Sequence, residues 1–170
     1  MRTRGPNGGS DEFIELYNPL TTPVTLSSSI NIQGRSSGGL GYTTRWMGAG
    51  QTLPGHGHFL IGGAAYLGPP AADDVLLAGL PDQMSLALYQ GTTLIDAVCF
   101  YCGANPFDAS FTCEGTPFLK AGCSSSSNYA AAERKPGAAL GNGTNTHDNS
   151  MDFLLTDPSN QRDLASPPTP

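Results

Sequence analysis

Four cysteines, Cys99, Cys102, Cys113 and Cys123, have the residue type and spacing that best fit a chemical role. Thiols pair as disulfides, bind zinc or take part in redox exchange. A zinc ribbon needs a second closely spaced pair, which this sequence lacks. A redox Cys-x-x-Cys motif stands at the start of a helix, whereas Cys99 ends an apolar, strand-like run. The spacing favours two structural disulfides, with zinc binding and free thiols as alternatives.

Four cysteines allow three pairings, and we favour Cys99 with Cys113 and Cys102 with Cys123. If the strand continues to residue 102, the Cα atoms of Cys99 and Cys102 lie about 10 Å apart. A disulfide spans at most roughly 7 Å between Cα atoms. The favoured pairs staple a long loop, residues 102–127, to the sheet. Each contributes about 3 kcal/mol if the bridge acts by restricting the unfolded chain.

Oxygen-bearing side chains near the end of the sequence offer a metal site. Asp148, Asn149 and Asp152 carry the carboxylate and amide oxygens that Ca²⁺ prefers. Asp11 and Glu12 join them if the last strand pairs close to the first. There is no Asp-x-Asp-x-Asp-Gly loop, and the alternative role for such residues is Asx-turn and strand-capping hydrogen bonding. Apart from this Ca²⁺ site, we expect no cofactor.

Neither the histidines nor a search for the usual catalytic motifs indicates a metal site or an active site. His56 and His58 point the same way on a strand, but no third metal ligand stands nearby, and His147 lies apart in a polar loop. The sequence has no Gly-x-Ser-x-Gly elbow, no His-Glu-x-x-His helix, no phosphate loop and no dinucleotide fingerprint. We therefore expect no enzymatic activity and no catalytic residue.

Composition limits the class of partner. The formal net charge is −6, and the eight basic residues are dispersed. The one small basic cluster, Arg134-Lys135, follows Glu133 directly, so no stripe suited to phosphates is present and direct nucleic-acid binding is not expected. No apolar run reaches the 18 residues typical of a membrane span, so no membrane insertion is expected. The first ten residues lack the apolar segment of a signal peptide.

Composition and periodicity predict an all-β fold. Charged residues make up 13% of the chain, and 22 glycines and 14 prolines interrupt it, which disfavours long helices. Residues 73–77 are ambiguous between a helical turn and an edge segment. We expect less than a tenth of the chain in α-helix. Alternating apolar residues predict about nine short strands, at 12–17, 24–26, 29–33, 42–46, 58–61, 85–89, 93–101, 129–134 and 152–155.

Six segments, in order, resemble bacterial lamin-tail domains. They cover roughly residues 2–155, and their order is more specific than any one of them. The segments are Arg2-Thr-Arg-Gly-Pro-Asn-Gly-Gly-Ser-Asp-Glu-Phe-Ile-Glu-Leu-Tyr-Asn18 with Pro23-Val-Thr-Leu26, then Leu53-Pro-Gly-His-Gly-His-Phe-Leu60, Ile95-Asp-Ala-Val98, Cys113-Glu-Gly-Thr-Pro117, Glu133-Arg-Lys-Pro136 and Asp148-Asn-Ser-Met-Asp-Phe153.

The resemblance implies an immunoglobulin-like two-sheet sandwich without enzymatic activity, of a kind found in secreted or surface proteins and sometimes beside nuclease domains. We expect this domain over residues 1–160 and a Pro/Ser/Thr-rich tail or linker over 161–170. Ile30 stands where the family usually has an aromatic residue. The family also has two or three strand residues before its first arginine, where this chain has Met1. We therefore expect the sequence to begin inside its first strand, which leaves an edge open to weak self-association.

The expected function is that of a non-catalytic binding or scaffolding module in a secreted or cell-surface bacterial protein. Its partners would be other protein domains or surface components. The alternative is a Ca²⁺-stabilised accessory module of an extracellular hydrolase such as a nuclease. A small hydrolase is the third hypothesis.

The cysteine interpretation makes a direct prediction. We expect the natively purified protein to have no free thiol, because four paired cysteines suit an oxidising compartment. Mass measurement after treatment with a thiol reagent, without reduction, checks this. Four reactive cysteines would indicate an intracellular or metal-binding protein instead.

Overall fold

The computed structural model describes residues 1–102, 108–120 and 130–170. Short strands, one single-turn helix and one 3-10 turn at Ala138–Leu140 make up the regular structure of these residues. The strands are β1 Phe13–Tyr17, β2 Val24–Leu26, β3 Ile30–Ser36, β4 Thr43–Met47, β5 Gln51–Leu53, β6 His58–Gly62, β7 Asp74–Val75, β8 Met84–Gln90, β9 Thr93–Cys102, β10 Phe118–Lys120, β11 Ala131–Arg134 and β12 Phe153–Thr156, and the helix is α1 Asn149–Asp152.

One layer is a five-stranded sheet in the order β10-β9-β8-β3-β4. β8 and β9 form an antiparallel hairpin whose turn contains Gly91, at a φ of 61°. That left-handed conformation suits glycine, because it has no Cβ to clash. β10 pairs with β9 in parallel, so the chain must cross over before it returns. The inner face of this sheet forms the floor of a cavity between the two layers.

The opposite layer contains the sheet β1-β6-β7 and the hairpin-like pair β11-β12. The first residues of the chain join them. Met1 exchanges two backbone hydrogen bonds with Ala132, and Arg2 exchanges two with Phe13. Because both exchanges are antiparallel, residues 1 and 2 lie as a short strand segment between β11 and β1. A third pair, β2-β5, is antiparallel.

The core fills the space between the layers. Period-two alternation sends Ile14 from β1 and Phe59 and Ile61 from β6 toward the five-stranded sheet. Trp46 packs on Phe59 with ring centroids 5.5 Å apart, and its indole N–H donates to Asp74 at 2.9 Å. The described part of the chain is thus an all-β sandwich, as the sequence predicts.

Nine predicted strands are present, with ends shifted by a few residues, and α1 has four residues. Two strands were not predicted, β5 and β10. β5 ends at Leu53, directly before the turn-forming pair Pro54-Gly55. β10 lies in the predicted cysteine loop. The ambiguous segment at residues 73–77 contains β7, an edge strand that pairs in parallel with β6. Pairings this short leave no periodic pattern in the sequence.

The favoured disulfide between Cys99 and Cys113 is confirmed, with Cα atoms 5.3 Å apart. It ties β9 to the segment that leads into β10. The second predicted pair stays a prediction: Cys123 and the side chain of Cys102 lie outside the described residues. In the described ranges, no helix is long and apolar enough to cross a bilayer.

Both ends of the chain contact the rest of the fold. In the C-terminal segment, the Arg162 N–H donates to Glu15 and the Leu164 N–H to Asp73, and Thr169 is buried. At the start, the backbone groups of Met1 and Arg2 pair with β11 and β1. The boundary at residue 160 and the weak self-association both stay predictions.

Arg2 provides the fold's clearest stability test. Its guanidinium is buried, donates to the Asp11 carboxylate at 2.5 Å and lies 5.1 Å from the Phe13 ring. We expect Arg2→Ala to reduce the free energy of unfolding by about 3–5 kcal/mol, because the buried carboxylate loses its counter-ion. Urea unfolding measures this.

Arg4→Ala is the matched control. Arg4 also pairs with an aspartate, Asp82, but its side chain is 36% exposed. Water screens such a pair, so the expected loss is below about 1 kcal/mol. Equal losses for Arg2→Ala and Arg4→Ala would contradict the structural role given to Arg2.

Candidate functional site

A cavity of about 360 Å³ lies between the two layers. Its floor is the apolar inner face of the five-stranded sheet, including Ile32, Leu86 and Leu88, and its walls are β1 and β11. Leu16 and Leu88 pack against the core yet remain partly exposed here. A volume of this size with mostly apolar walls is typical of binding sites.

The cavity lies between β1 and β11, next to the short segment that pairs with both strands. Residue pairing places Arg2 beside Phe13 and Met1 beside Ala132. In the described residues, the rest of that side of β1 has no neighbouring strand. We call the space between residues 14–17 of β1 and residues 132–134 of β11 the inter-strand gap.

Backbone groups face into this gap. In an antiparallel ladder, alternate residues direct their N–H and C=O groups to the same side. Phe13 bonds to Arg2 on the gap side, so Glu15 and Tyr17 face the same way. On the opposite wall, Ala132 bonds to Met1, which makes Arg134 the next residue to face the gap. The Arg134 carbonyl accepts from the Asn142 amide at 2.7 Å, which closes the far end.

Charged groups surround the gap on both faces. On the inner side, Arg134 donates two 2.7 Å hydrogen bonds to Asp96 and contacts Asp152 at 3.3 Å. Its guanidinium carbon also lies 4.6 Å from the Phe153 ring. Two carboxylates thus balance this cation. Strand alternation places Glu133 on the outer side.

The predicted calcium ligands lie together at α1, but protein donors occupy their oxygens. Asp148 caps the helix by accepting from the Ser150 N–H and hydroxyl, and the hydroxyl bond lowers the pKa of this carboxyl to about 2. Asp152 accepts from the N–H and hydroxyl of Thr146 and from Arg134.

Asn149 carries a structural role that its sequence position does not reveal. Its amide is fully buried, accepts from the Cys99 N–H at 2.8 Å and donates to the Ala97 carbonyl at 2.9 Å. A peptide group of a neighbouring strand makes this same pair of bonds. The side chain therefore takes the place of a strand neighbour along β9.

Asp11 and Glu12, which the sequence places as possible additional ligands, have other partners. Asp11 pairs with Arg2, and Glu12 accepts from the Leu80 N–H at 2.7 Å. Burial raises the pKa of the Glu12 carboxyl, although the Leu80 bond opposes this. Across the described ranges, no group of three or more His, Cys, Asp or Glu side chains is placed to hold a metal ion.

The two neighbouring histidines do not act together. His56 contacts the Tyr17 hydroxyl through Nδ1 at 3.2 Å. His58 is fully buried, with Nδ1 at 2.7 Å from Glu15 and Nε2 at 2.9 Å from the Thr169 hydroxyl. His147 is exposed, and its Nδ1 lies 3.3 Å from Glu114.

The Thr169–His58–Glu15 chain, which sequence reasoning missed, orders its groups as a nucleophilic triad does. Thr169 is buried, and its N–H donates to the His56 carbonyl. Its hydroxyl lies 2.9 Å from His58 Nε2. Through these contacts, His58 links the C-terminal segment to β1 and β6. No regular spacing in the sequence links positions 15, 58 and 169.

Comparison with known proteins finds no protein-family model and no curated protein that matches this chain. The resemblance to lamin-tail domains therefore stays a prediction.

The Asn149 geometry separates a structural role from calcium binding. We expect Asn149→Ala to lower the free energy of unfolding by about 3 kcal/mol, because a buried N–H and a buried C=O lose their partners. The loss should be the same in Ca²⁺ and in a chelator when urea unfolding is followed in both.

Asn145→Ala is the control, since Asn145 is exposed and its side chain accepts one local bond from His147. Its expected effect is within about 0.5 kcal/mol. A loss for Asn149→Ala that appears in Ca²⁺ alone would make Asn149 a calcium ligand.

Proposed function

We propose that this chain is a non-catalytic protein-binding or scaffolding module of a secreted or cell-surface protein, and that it binds through the cavity and its inter-strand gap. The observation that carries the proposal is the combination of an apolar cavity with backbone groups of two strands facing it. Apolar area supplies affinity, and polar groups aligned along a strand supply orientation.

Exposed apolar side chains extend the cavity surface. Ile95, which lines the cavity, is 46% exposed, and its neighbour Leu94 is 43% exposed. A single exposed apolar residue is ordinary, but a group that continues an apolar cavity with a polar rim is typical of a contact surface. Asn142 and Gln161 supply part of that rim.

The buried polar groups support a non-catalytic role. The carboxylates of Asp11, Glu12 and Asp152 each accept hydrogen bonds that hold one part of the chain to another. The buried His58 likewise connects β6 to β1 and to the C-terminal segment. Groups used in this way stabilise the fold, and a reacting substrate would have to displace their partners.

The disulfide supports a secreted or surface location. Disulfides persist in oxidising compartments and are rare where thiols are kept reduced. Cys99 is fully buried and its bridge to Cys113 connects β9 with the β10 segment. A bridge in this position reinforces the edge of the sheet that forms the cavity floor.

The proposal predicts that binding depends on the cavity. Peptides selected from a random display library on the immobilised domain should lose at least tenfold in affinity for Leu88→Trp and for Leu16→Trp. In both variants the indole fills apolar volume that a ligand would occupy. Isothermal titration measures the affinity, and circular dichroism confirms that each variant is folded.

Leu140→Trp is the matched control. Leu140 is 68% exposed and is not among the cavity-lining residues. The same peptides should bind this variant as they bind the unmodified chain. Selected peptides that bind Leu88→Trp and Leu16→Trp with undiminished affinity would place the binding surface elsewhere and refute the proposal.

A further inference from the structure

We infer that the outer face of the five-stranded sheet binds a neutral oligosaccharide of β-1,4-linked hexoses, at a site separate from the cavity. Four outward-facing residues on β3, β4 and β8 form this surface, which we call the outer shelf: Asn31, Gln33, Met47 and Tyr89. The inference is carried by a partly exposed tyrosine that lies beside a bonded pair of amide side chains on an uncharged sheet face.

Strand register places the four residues on one face. Ile32 is buried in the core, so its neighbours on β3, Asn31 and Gln33, point outward. Asn31 lies opposite Met47 on one side and opposite Tyr89 on the other. Directly opposite residues share a face, with Cβ atoms about 5 Å apart. The four side chains therefore form one continuous surface, on which Met47 is 50% exposed and the others are partly exposed.

The amide pair places hydrogen-bonding groups at defined positions. Gln33 Nε2 donates to Asn31 Oδ1 at 3.2 Å, and Asn31 Nδ2 donates to the Ser29 carbonyl at 3.4 Å. Each amide has two donor hydrogens and one acceptor oxygen. Among the described residues, Gln33 Oε1 and one hydrogen on each amide nitrogen thus stay available. Neighbouring hydroxyls of a sugar ring require such a donor beside an acceptor.

Tyr89 supplies an aromatic ring next to these amides. Its hydroxyl has no hydrogen-bond partner within residues 1–102, 108–120 and 130–170. A tyrosine ring is apolar on its faces and polar at its hydroxyl, which suits a ligand that has both kinds of surface. A hexose ring has this character, because its C–H groups form an apolar face and its hydroxyls surround the edge.

The charges around the shelf favour a neutral ligand. All four shelf side chains are uncharged, although the chain carries a formal charge of −6. Arg35, the next outward-facing residue of β3, lies 3.9 Å from Asp108. A phosphate, a carboxylate or a basic peptide therefore meets no counter-ion on the shelf and would lose hydration there. A neutral hydroxylated ligand avoids this cost.

The backbone under the shelf excludes an added peptide strand. β3 pairs with β4 and β8, and β8 pairs with β3 and β9, so both central strands are hydrogen-bonded on both sides. The shelf offers side chains alone, and a ligand lies across the sheet face instead of along an edge. A flat, extended chain complements such a face, and β-1,4-linked hexoses form a chain of this shape.

A loop closes one end of the shelf. The Tyr42 hydroxyl accepts from the Thr112 N–H at 2.6 Å and lies 2.8 Å from Ser85 Oγ, which donates to the Thr112 carbonyl at 2.7 Å. Ser85 lies four residues before Tyr89 on β8, about 13 Å along the strand. These bonds hold the loop over the outer face at Ser85, so the shelf ends there and opens toward the β8–β9 turn.

The first experiment uses the full chain and two neutral probes, cellohexaose and chitohexaose. Titration followed by ¹⁵N NMR should give saturable shifts at the backbone amides of Asn31, Gln33 and Tyr89 and at the two side-chain amides. The control probe is β-1,4-linked hexaglucuronate, a similar chain with a carboxylate on every ring, which should bind at least tenfold more weakly. Absence of saturable shelf shifts with both neutral probes would overturn the inference, and so would equal binding of the charged probe.

Substitutions test the shelf residues themselves. Tyr89→Ala should lower the affinity for the neutral probe at least tenfold, because the ring contact is lost, and Gln33→Ala should lower it severalfold. Tyr89→Trp keeps an aromatic ring and should retain binding. Isothermal titration measures the affinities, and circular dichroism confirms folding. A Tyr89→Ala variant that is folded and binds as tightly as the unmodified chain contradicts the role given to Tyr89.

Leu88→Trp separates the shelf from the cavity. Leu88 precedes Tyr89 on β8 but lines the cavity on the inner face. This variant should bind the oligosaccharide with unchanged affinity, and Tyr89→Ala should bind the cavity-directed library peptides with unchanged affinity. Loss of oligosaccharide binding in Leu88→Trp would place the sugar in the cavity and overturn the outer shelf as its site.

Discussion

The pairing of the first two residues with β11 and β1 is the interaction on which the second layer depends. Strands β1, β6 and β7 come from the first half of the chain, and β11 and β12 come from its end. Met1 and Arg2 provide the four backbone hydrogen bonds that join these groups. Because β11 and β1 are each bonded to the same short segment, their separation is fixed at two strand spacings, about 9.6 Å. The gap has the width of one strand for this reason.

Buried polar side chains hold strands of both layers where backbone neighbours are missing. Asn149 bonds to β9 as a strand would, and Asp73 accepts from Leu60 in β6 and from Leu164 in the C-terminal segment. Burial raises the pKa of the Asp73 carboxyl, although both backbone bonds oppose this. Since each such group also links distant segments, losing its partner would expose an unsatisfied buried atom. These positions therefore tolerate substitution poorly even though they are polar.

The parts of the fold that follow from local pattern were predictable, and the parts that follow from distant contacts were not. Alternation in β3, β8 and β9 reveals their buried faces, and the cysteine spacing was enough to favour Cys99–Cys113. β7 has two residues, too few for any period. The sequence around Asn149 predicts a metal ligand or a cap. Its partners in β9 lie 50 and 52 residues away, so no local pattern reveals its structural role. The cavity depends on the arrangement of β1, β11 and the floor together, which no single segment encodes.

The cavity persists beside a well-packed core because the residues that wall it are small or paired elsewhere. Ala131 and Ala132 in β11 are almost fully buried and carry minimal side chains, while Arg134 is drawn to Asp96. Protein interiors normally pack to crystal-like density, so partly exposed Leu16 and Leu88 mark a local departure from that rule. Larger side chains in β11 would fill the space and bury more apolar area, which would stabilise the isolated domain. Natural proteins commonly lack stabilising substitutions of this kind, because selection requires only enough stability for function.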